Sequence, residues 1–321
     1  MGARTSAAVA ATLWGCTYIV STALLPPHPF TVAAVRALGG AAVLLLFARH
    51  LPPRHWWGRV VVLGTLNAGL FFALLFVAAL RLPGGVAAIF QALGPLTVIL
   101  LGWAILHARP TLLKITSVLM GAAGVSLVVL KGPAALDVVG VLAALGAVAS
   151  LSLGGVLMSK WGKPPMPLIA FTGWQLLVAG AELLLLALLA NDLPADITTT
   201  HMAGFMALAV LLTAIPFALW FKAMERLGAV TISPFLLLSP VTAFVLDALV
   251  KGLVPTALQL IGVATVVAGL LLSQWTPRGR TSASRTSVSR ASHPSHALRE
   301  LETDPARPQL PQRATLARPT H

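Results

Sequence analysis

Long apolar runs alternate with short polar breaks along most of this chain. A helix that spans a bilayer needs about 20 mostly apolar residues, and the chain holds ten such runs. The breaks are rich in Pro, Gly and charge, and they leave no room for a domain outside the membrane before residue 276. We therefore predict an all-α membrane protein with ten transmembrane helices. The predicted spans are residues 6–25, 30–48, 59–80, 84–106, 112–130, 137–158, 167–189, 202–221, 230–250 and 256–275.

Composition supports this prediction and excludes several classes of protein. Of 321 residues, 57% are hydrophobic and only 10% are charged, whereas a soluble domain carries about 25% charged residues. The sequence is therefore not that of a soluble enzyme, a disordered protein or a nucleic-acid-binding domain, despite its net charge of +13. A single cysteine, Cys16, excludes a disulfide framework. Since the chain has no P-loop and no metal-binding motif, we predict no enzymatic activity, no cofactor and no metal.

The distribution of Lys and Arg predicts the orientation in the membrane. If the N-terminus is cytoplasmic, ten basic residues lie on the inner side and three on the outer side, which agrees with the positive-inside rule. We therefore predict an inner-membrane protein with both termini in the cytoplasm. The inner residues are Arg4, Arg49, Arg54, Arg59, Arg109, Lys114, Lys160, Lys163, Lys222 and Arg226, and the outer ones are Arg81, Lys131 and Lys251.

The last residues, 276–321, differ from everything before them. They contain eight Arg, three acidic residues and many Ser, Thr and Pro. Such a segment cannot bury enough apolar surface to fold, so we predict a disordered basic cytoplasmic tail. The alternative role is weak attraction to anionic lipid of the inner leaflet.

The chain repeats itself at an offset of 145 residues. Pro95 matches Pro240 at this offset, and the dipeptides at 81–82 and 226–227 are both Arg-Leu. Each half, 6–130 and 137–275, then holds five spans. Because five is odd, the second half enters the membrane from the opposite side, which gives two inverted five-helix repeats. This architecture suits alternating access in a transporter. It also requires the first span as a retained helix, against the alternative of a cleaved signal peptide.

Several stretches resemble the EamA-type branch of the drug/metabolite transporter superfamily. These stretches are residues 14–20, 29–36, 81–95, 217–228 with Pro240, and 259–269. Residues 14–27 and 81–87 further resemble the subgroup of blue-pigment (indigoidine) exporters. The resemblance implies a ten-helix secondary transporter that exports amino acids, related metabolites or dyes. It also implies that helices 1–4 and 6–9 surround a cavity while helices 5 and 10 are peripheral. The Gly-Glu pairs common in the family are absent, because Ala108 and Leu253 stand at the glutamate positions.

Polar and aromatic residues that share helix faces predict the lining of this cavity. Lipid offers polar side chains no partners, so such faces should point to protein or water. The alternatives are hydroxyl groups bonding to carbonyls of their own helix, prolines that only shape the helices, and aromatic residues that only pack. The candidate substrate-binding residues are Trp14, Thr17, Tyr18, Ser21, Asn67, Phe71, Gln91, Pro95, Gln175, Thr213, Trp220 and Pro240.

Three ionisable residues lie inside predicted spans, where charge is costly and usually functional. Arg36 is a further candidate for binding the substrate, through a carboxylate. Glu182 and Asp247 are candidates for proton coupling, with Glu182 first because Asp247 is nearer the outer surface. The alternatives are an ion pair between Arg36 and Glu182 that only holds two helices together, and an Asp247 that reaches interfacial water.

The sequence therefore predicts a secondary transporter that exports a small-molecule substrate across the bilayer. The rivals are an importer on the same fold and a membrane-embedded regulatory subunit that transports nothing. Substrate identity, coupling ion, direction and oligomeric state stay open at this point.

Overall fold

The protein is α-helical throughout the part that the structure describes. This computed structural model describes residues 2–107, 110–130 and 137–274, so the predicted tail, 276–321, lies outside the described residues. The helices are α1 Ala3–Ala23, α2 Pro29–Phe47, α3 Arg54–Arg81, α4 Gly84–Leu106, α5 Leu112–Leu130, α6 Val138–Trp161, α7 Leu168–Leu189, α8 Thr199–Leu227, α9 229–251 and α10 Ala257–Gln274. Each of them overlaps one predicted span.

Hydropathy and length identify which of these helices suit a bilayer. Among the described residues, seven helices are long and apolar enough to cross a membrane, namely α1 to α4 and α6 to α8. Large apolar side chains such as Leu185 and Leu189 on α7 are exposed, as a lipid-facing surface requires. The prediction of an all-α multi-pass membrane protein is thus confirmed.

The two halves of the chain share unusual local features at closely corresponding positions. Turns of π-helix interrupt α3 at Thr65–Leu70 and α8 at Ala207–Ala214. The last turns of α4 and α9 end in left-handed residues, His107 with φ 52° and Gly252 with φ 67°, and 252 − 107 = 145. Two long helices with matching irregularities indicate a duplicated unit.

Prolines break α4 and α9 at equivalent places. In α4 the N–H groups of Ala92 and Leu93 bond to carbonyls three residues back instead of four, and Pro95 follows. In α9 a short 3₁₀ segment, Ser233–Leu237, precedes Pro240. Proline lacks an N–H group and clashes with the preceding turn, so it disrupts the regular helix on its N-terminal side.

The principal helix contacts join one half of the chain to the other. In the described residues α2 packs along α7, α5 along α10, α1 along α8 and α3 along α6. Glycines allow the close approach of α5 and α10: a Cβ at Gly124 would fall 2.6 Å from the carbonyl oxygen of Gly262. Small residues at such contacts are typical of helices that pack in membranes.

Candidate functional site

A cavity of about 340 Å³ lies between helices of both halves. Its volume is within the range of about 300–1,000 Å³ that is usual for small-molecule sites. Nine of the residues predicted from the sequence line it: Trp14, Thr17, Tyr18, Arg36, Phe71, Gln91, Pro95, Trp220 and Pro240. Neither α5 nor α10 contributes to the described lining, which agrees with the prediction that both are peripheral.

One wall of the cavity is a cluster of aromatic rings from α1 and α8. The ring of Trp14 lies 5.5 Å from those of both Phe217 and Trp220, between centroids. Phe217 in turn stacks on Phe221 at 5.9 Å. Tilted and edge-to-face ring pairs at these distances are favourable. The wall therefore offers an apolar aromatic surface to a bound molecule.

Arg36 supplies a buried positive charge to the lining of the cavity. Its side chain is only 3% exposed. Nε donates to Thr213 Oγ1 at 2.9 Å and Nη2 donates to the carbonyl oxygen of Leu212 at 3.2 Å. In a regular helix that carbonyl would accept from residue 216, which is a proline. The guanidinium also lies over the ring of Phe72, 4.5 Å from its centroid, in a cation–π contact.

Two donors at the cavity have no protein partner. Arg36 Nη1 and Thr17 Oγ1 are buried and make no hydrogen bond in the described structure, and both residues line the cavity. A buried polar group without a partner costs about 1–3 kcal/mol. An acceptor group on a bound molecule would remove that cost, so the arrangement favours a ligand with a carboxylate or carbonyl oxygen.

The helix breaks lie at this surface. Pro95 and Pro240 cannot donate to the carbonyls four residues earlier, those of Gln91 and Leu236. All four residues line the cavity. The predicted kinks therefore lie at the site, in helices that correspond to each other in the two halves.

Four predicted cavity residues do not line the cavity. Ser21 donates to the carbonyl oxygen of Tyr18 in its own helix at 2.9 Å, which is the alternative considered from the sequence. Thr213 Oγ1 accepts a hydrogen bond from Arg36 Nε and donates one to the carbonyl oxygen of Leu208. Asn67 Nδ2 donates to Gln175 Oε1 at 2.8 Å, joining α3 to α7.

The ion pair considered between Arg36 and Glu182 does not form. Glu182 Oε1 instead accepts from Thr65 Oγ1 at 2.6 Å, beside the π-helical turn of α3. Arg36 instead donates its hydrogen bonds to Thr213 and Leu212 of α8. The charge of Arg36 is therefore not neutralised by Glu182.

Asp247 is not at interfacial water, contrary to the alternative drawn from its place in the sequence. It is only 2% exposed. Its Oδ2 accepts the backbone N–H of Gly85 at 2.7 Å, and its Oδ1 lies 3.4 Å from Nζ of Lys251. Asp247 lies near the end of α9, and the close packing of α4 against α9 keeps water away from it.

The helix face that predicts Thr213 and Trp220 also includes Phe217, which lines the cavity. Seven further lining residues were not predicted. Among them, Phe221 follows Phe217 by one helical turn and Ser239 aligns with Gly94 at the break in α4, and these two relations could have identified them. The others are apolar, as core residues are. The residues not predicted are Leu75, Ala92, Leu151, Phe221, Leu236, Leu237 and Ser239.

No group of three or more His, Cys, Asp or Glu side chains that could hold a metal occurs in the described ranges. The site thus consists of one guanidinium, a few hydroxyl and amide groups, and aromatic walls. Such a surface can bind and orient a molecule.

A sequence profile of the EamA-like transporter family matches residues 4–130 and matches again at residues 138–275. Together these two matches cover most of the chain. The chain belongs to the EamA-like transporter family. The EamA resemblance seen in the sequence is thereby confirmed, and the paired matches agree with the duplicated features of the fold. Membership makes the protein a multi-pass membrane transporter and not an enzyme.

Relatives of this EamA-like transporter span nearly its whole membrane region. Protein PecM of Dickeya dadantii is 38% identical over 265 residues, which is 82% of this chain and 89% of PecM. The uncharacterized transporter YwfM of Bacillus subtilis is 29% identical over 290 residues, 88% of this chain and 96% of YwfM. One solved crystal structure shares the fold with a TM-score of 0.60 at 22% identity, covering 84% of this chain and 96% of that chain.

Proposed function

We propose that this protein is a secondary transporter of the inner membrane that exports a small metabolite by alternating access. All ten helices cross the membrane in this proposal, as inverted repeats at 6–130 and 137–275, with both termini and the tail, 276–321, in the cytoplasm. Inversion follows from the odd number of helices in each half. Orientation follows from the excess of Lys and Arg on one side.

The observation that carries the proposal is the pair of unpartnered donors in the cavity. Arg36 and Thr17 line a space enclosed by helices of both halves, and within the described structure Arg36 Nη1 and Thr17 Oγ1 are buried without a hydrogen-bond partner. A conformational exchange between the halves would expose such a space to each side in turn. The rival of a regulatory subunit without transport gives these donors no ligand.

The walls define the chemistry of the substrate in this proposal. A carboxylate or carbonyl oxygen would accept from Arg36 and Thr17, while a flat apolar body would lie against Trp14, Phe217 and Trp220. Amino acids, related compounds and pigments all fit this description. An importer on the same fold would use the same contacts, so only the direction of flux separates the two.

Proton coupling is the proposed source of energy, with Glu182 as first carrier and Asp247 as second. Among the described residues Glu182 has no basic partner and accepts a hydrogen bond from the hydroxyl of Thr65, whereas Asp247 has Lys251 beside it. This difference supports Glu182 as the first candidate.

Metabolite profiling followed by reconstitution tests the proposed function. Medium from a deletion strain should lack a compound that accumulates outside an overexpression strain. In proteoliposomes the purified protein should then move that compound, with Arg36→Lys retaining part of the flux. The proposal fails if reconstituted protein moves none of the compounds that differ between the strains. Uptake of the compound from the medium in cells would favour the importer.

A further inference from the structure

Asp247 connects the two halves of the protein through a single strong hydrogen bond. Its Oδ2 accepts the backbone N–H of Gly85 at 2.7 Å. Gly85 lies in the first turn of α4, where N–H groups have no acceptor within the helix. Oδ1 of the same carboxylate makes no hydrogen bond in the described structure and lies 3.4 Å from Nζ of Lys251. The bond joins α9 of the second half to α4 of the first.

The helices around this bond are in very close contact. A Cβ at Gly85 would overlap the ring of Phe244, and one at Gly84 would fall 2.9 Å from Cβ of Tyr18. Real Cβ atoms do not approach other atoms so closely. Glycine at both positions therefore allows α1, α4 and α9 to meet. We call this side of the bundle, where α4 begins and α9 finishes, the Gly84 end.

The opposite side, which we call the Leu106 end, lacks this closure. The equivalent pair there is the second part of α4 and the first part of α9, residues 229–237, and within the described chain these segments barely touch. Gly102 is the counterpart of Asp247, since 247 − 145 = 102. A Cβ at Gly102 would have no heavy atom within 4 Å. Among the described residues, the carboxylate contact and the close approach of α4 to α9 thus occur at the Gly84 end.

We propose that the Asp247–Gly85 hydrogen bond is a latch that holds the cavity closed at the Gly84 end, and that the structure represents the state open toward the Leu106 end. This inference rests on the proposed alternating access. Opening the cavity at the Gly84 end requires α4 and α9 to separate, and therefore requires this bond to break. The duplicated half has no carboxylate to close the Leu106 end in the same way, so the two closures are unequal in strength.

Thiol labelling from each side of a vesicle measures this closure directly. The native cysteine is removed by Cys16→Ser and a reporter is placed in the cavity by Gln91→Cys. A small membrane-impermeant methanethiosulfonate is then added to one side of oriented proteoliposomes. The starting protein should react faster from the Leu106 side. Asp247→Ala should raise the labelling rate from the Gly84 side by about tenfold, since a hydrogen bond to a charged group is lost.

A second variant tests the latch without removing the carboxylate. Gly85→Ala places a methyl group against the ring of Phe244 and should raise labelling from the Gly84 side in the same way. If Asp247→Ala does not accumulate in the membrane, the labelling rate of Gly85→Ala alone tests the latch. Two matched controls should leave the rates unchanged. Gly102→Ala adds a methyl group to open space, and Asp192→Asn alters a carboxylate that accepts first-turn N–H groups of α2.

The outcomes separate the latch from the function on which it rests. Unchanged labelling from the Gly84 side in both Asp247→Ala and Gly85→Ala overturns the latch and leaves alternating access standing. Equal rates from both sides in the starting protein also overturn it. If the reporter reacts from neither side in any variant, no cavity reaches water and the proposed function fails as well.

Discussion

Arg36 and Gln175 occupy equivalent positions in the two halves and are used differently. They are 139 residues apart, and the prolines at the starts of α2 and α7, Pro29 and Pro167, are 138 residues apart. Each of the two side chains bonds to a polar residue of the other half. Their partners are equivalent to within one residue, since 213 − 145 = 68 and the other partner is Asn67. Arg36 is charged, lines the cavity and keeps one donor free, whereas Gln175 and Asn67 form a neutral pair outside the cavity lining. Equivalent positions of a duplicated fold can therefore carry a charge at the cavity in one half and a neutral packing contact in the other.

Removing the charge gives the largest expected effect. Arg36→Ala should reduce flux per folded molecule at least about tenfold, because a charged hydrogen bond contributes about 1.5–3 kcal/mol. Arg36→Lys should retain part of the flux, since lysine keeps the charge but not the planar fork of donors. Flux in proteoliposomes and abundance in the membrane are both measured. Normal flux in Arg36→Ala would remove Arg36 from the site.

The half that holds Gln175 could contribute to energy coupling through Glu182, which lies two turns further along α7. Glu182→Gln should abolish the dependence of flux on a pH gradient and leave counterflow exchange intact, because only the proton site is lost. Both fluxes are measured in the same proteoliposome preparation. Gradient-driven flux that survives in Glu182→Gln contradicts the assignment, and a joint collapse of exchange and abundance indicates a structural role.

Breaking the neutral pair should affect stability and not transport. Gln175→Leu leaves Asn67 without its partner and should lower the free energy of unfolding by about 1–3 kcal/mol. The double change with Asn67→Leu should cost less than the sum of the two single changes, because both polar groups are then removed. Thermal unfolding in detergent measures these differences. A loss of flux per folded molecule beyond about twofold would mean that this pair also serves transport.

The smallest expected effect comes from an exposed arginine, Arg81, whose ion pair contrasts with the buried Arg36. Arg81 Nη1 lies 2.8 Å from Asp137 Oδ2 at the surface. The N–H of Gly140 and the Arg81 side chain donate to the carboxylate and hold the pKa of Asp137 below its ordinary value. Stability from a lowered pKa is present above the unfolded value of about 3.9 and is lost as pH falls.

Asp137→Asn should therefore lower the melting temperature at pH 7 by no more than about 4 °C. The difference from the native protein should shrink as the pH falls below that unfolded value, because the native carboxyl then becomes protonated too. Melting curves at pH 7 and at a series of acidic pH values check this. A difference that does not shrink would show that shape, and not charge, matters at this position.

The helices and their kinks could be predicted because their causes are local. Apolar runs of sufficient length define the spans, and Pro95 and Pro240 define the breaks. The burial of Asp247 could not be predicted, because it depends on glycines 162 residues away in sequence that let α4 approach α9. The partner of Arg36 likewise depends on how α2 and α8 meet.

The π-helical turns explain why two residues predicted for the cavity, Asn67 and Thr213, do not line it. A face counted at 3.6 residues per turn places Asn67 with Phe71, and Thr213 with Phe217. A π turn holds about one residue more than an α turn, so residues on either side of it no longer share a face. Thr65–Leu70 and Ala207–Ala214 are such turns, and in each pair only the phenylalanine reaches the cavity.

The exchange of partners between halves has a consequence for biogenesis. In the described chain α1, α2, α3 and α5 find their main neighbours in α8, α7, α6 and α10. When the ribosome has made residue 130, every one of those neighbours is still unsynthesised. The early helices must therefore wait in the lipid, side by side but unassembled, until the later ones are inserted. The helices consequently pack together late in synthesis. If the chain is expressed as two fragments divided between α5 and α6, each fragment should accumulate in the membrane only when the other is present.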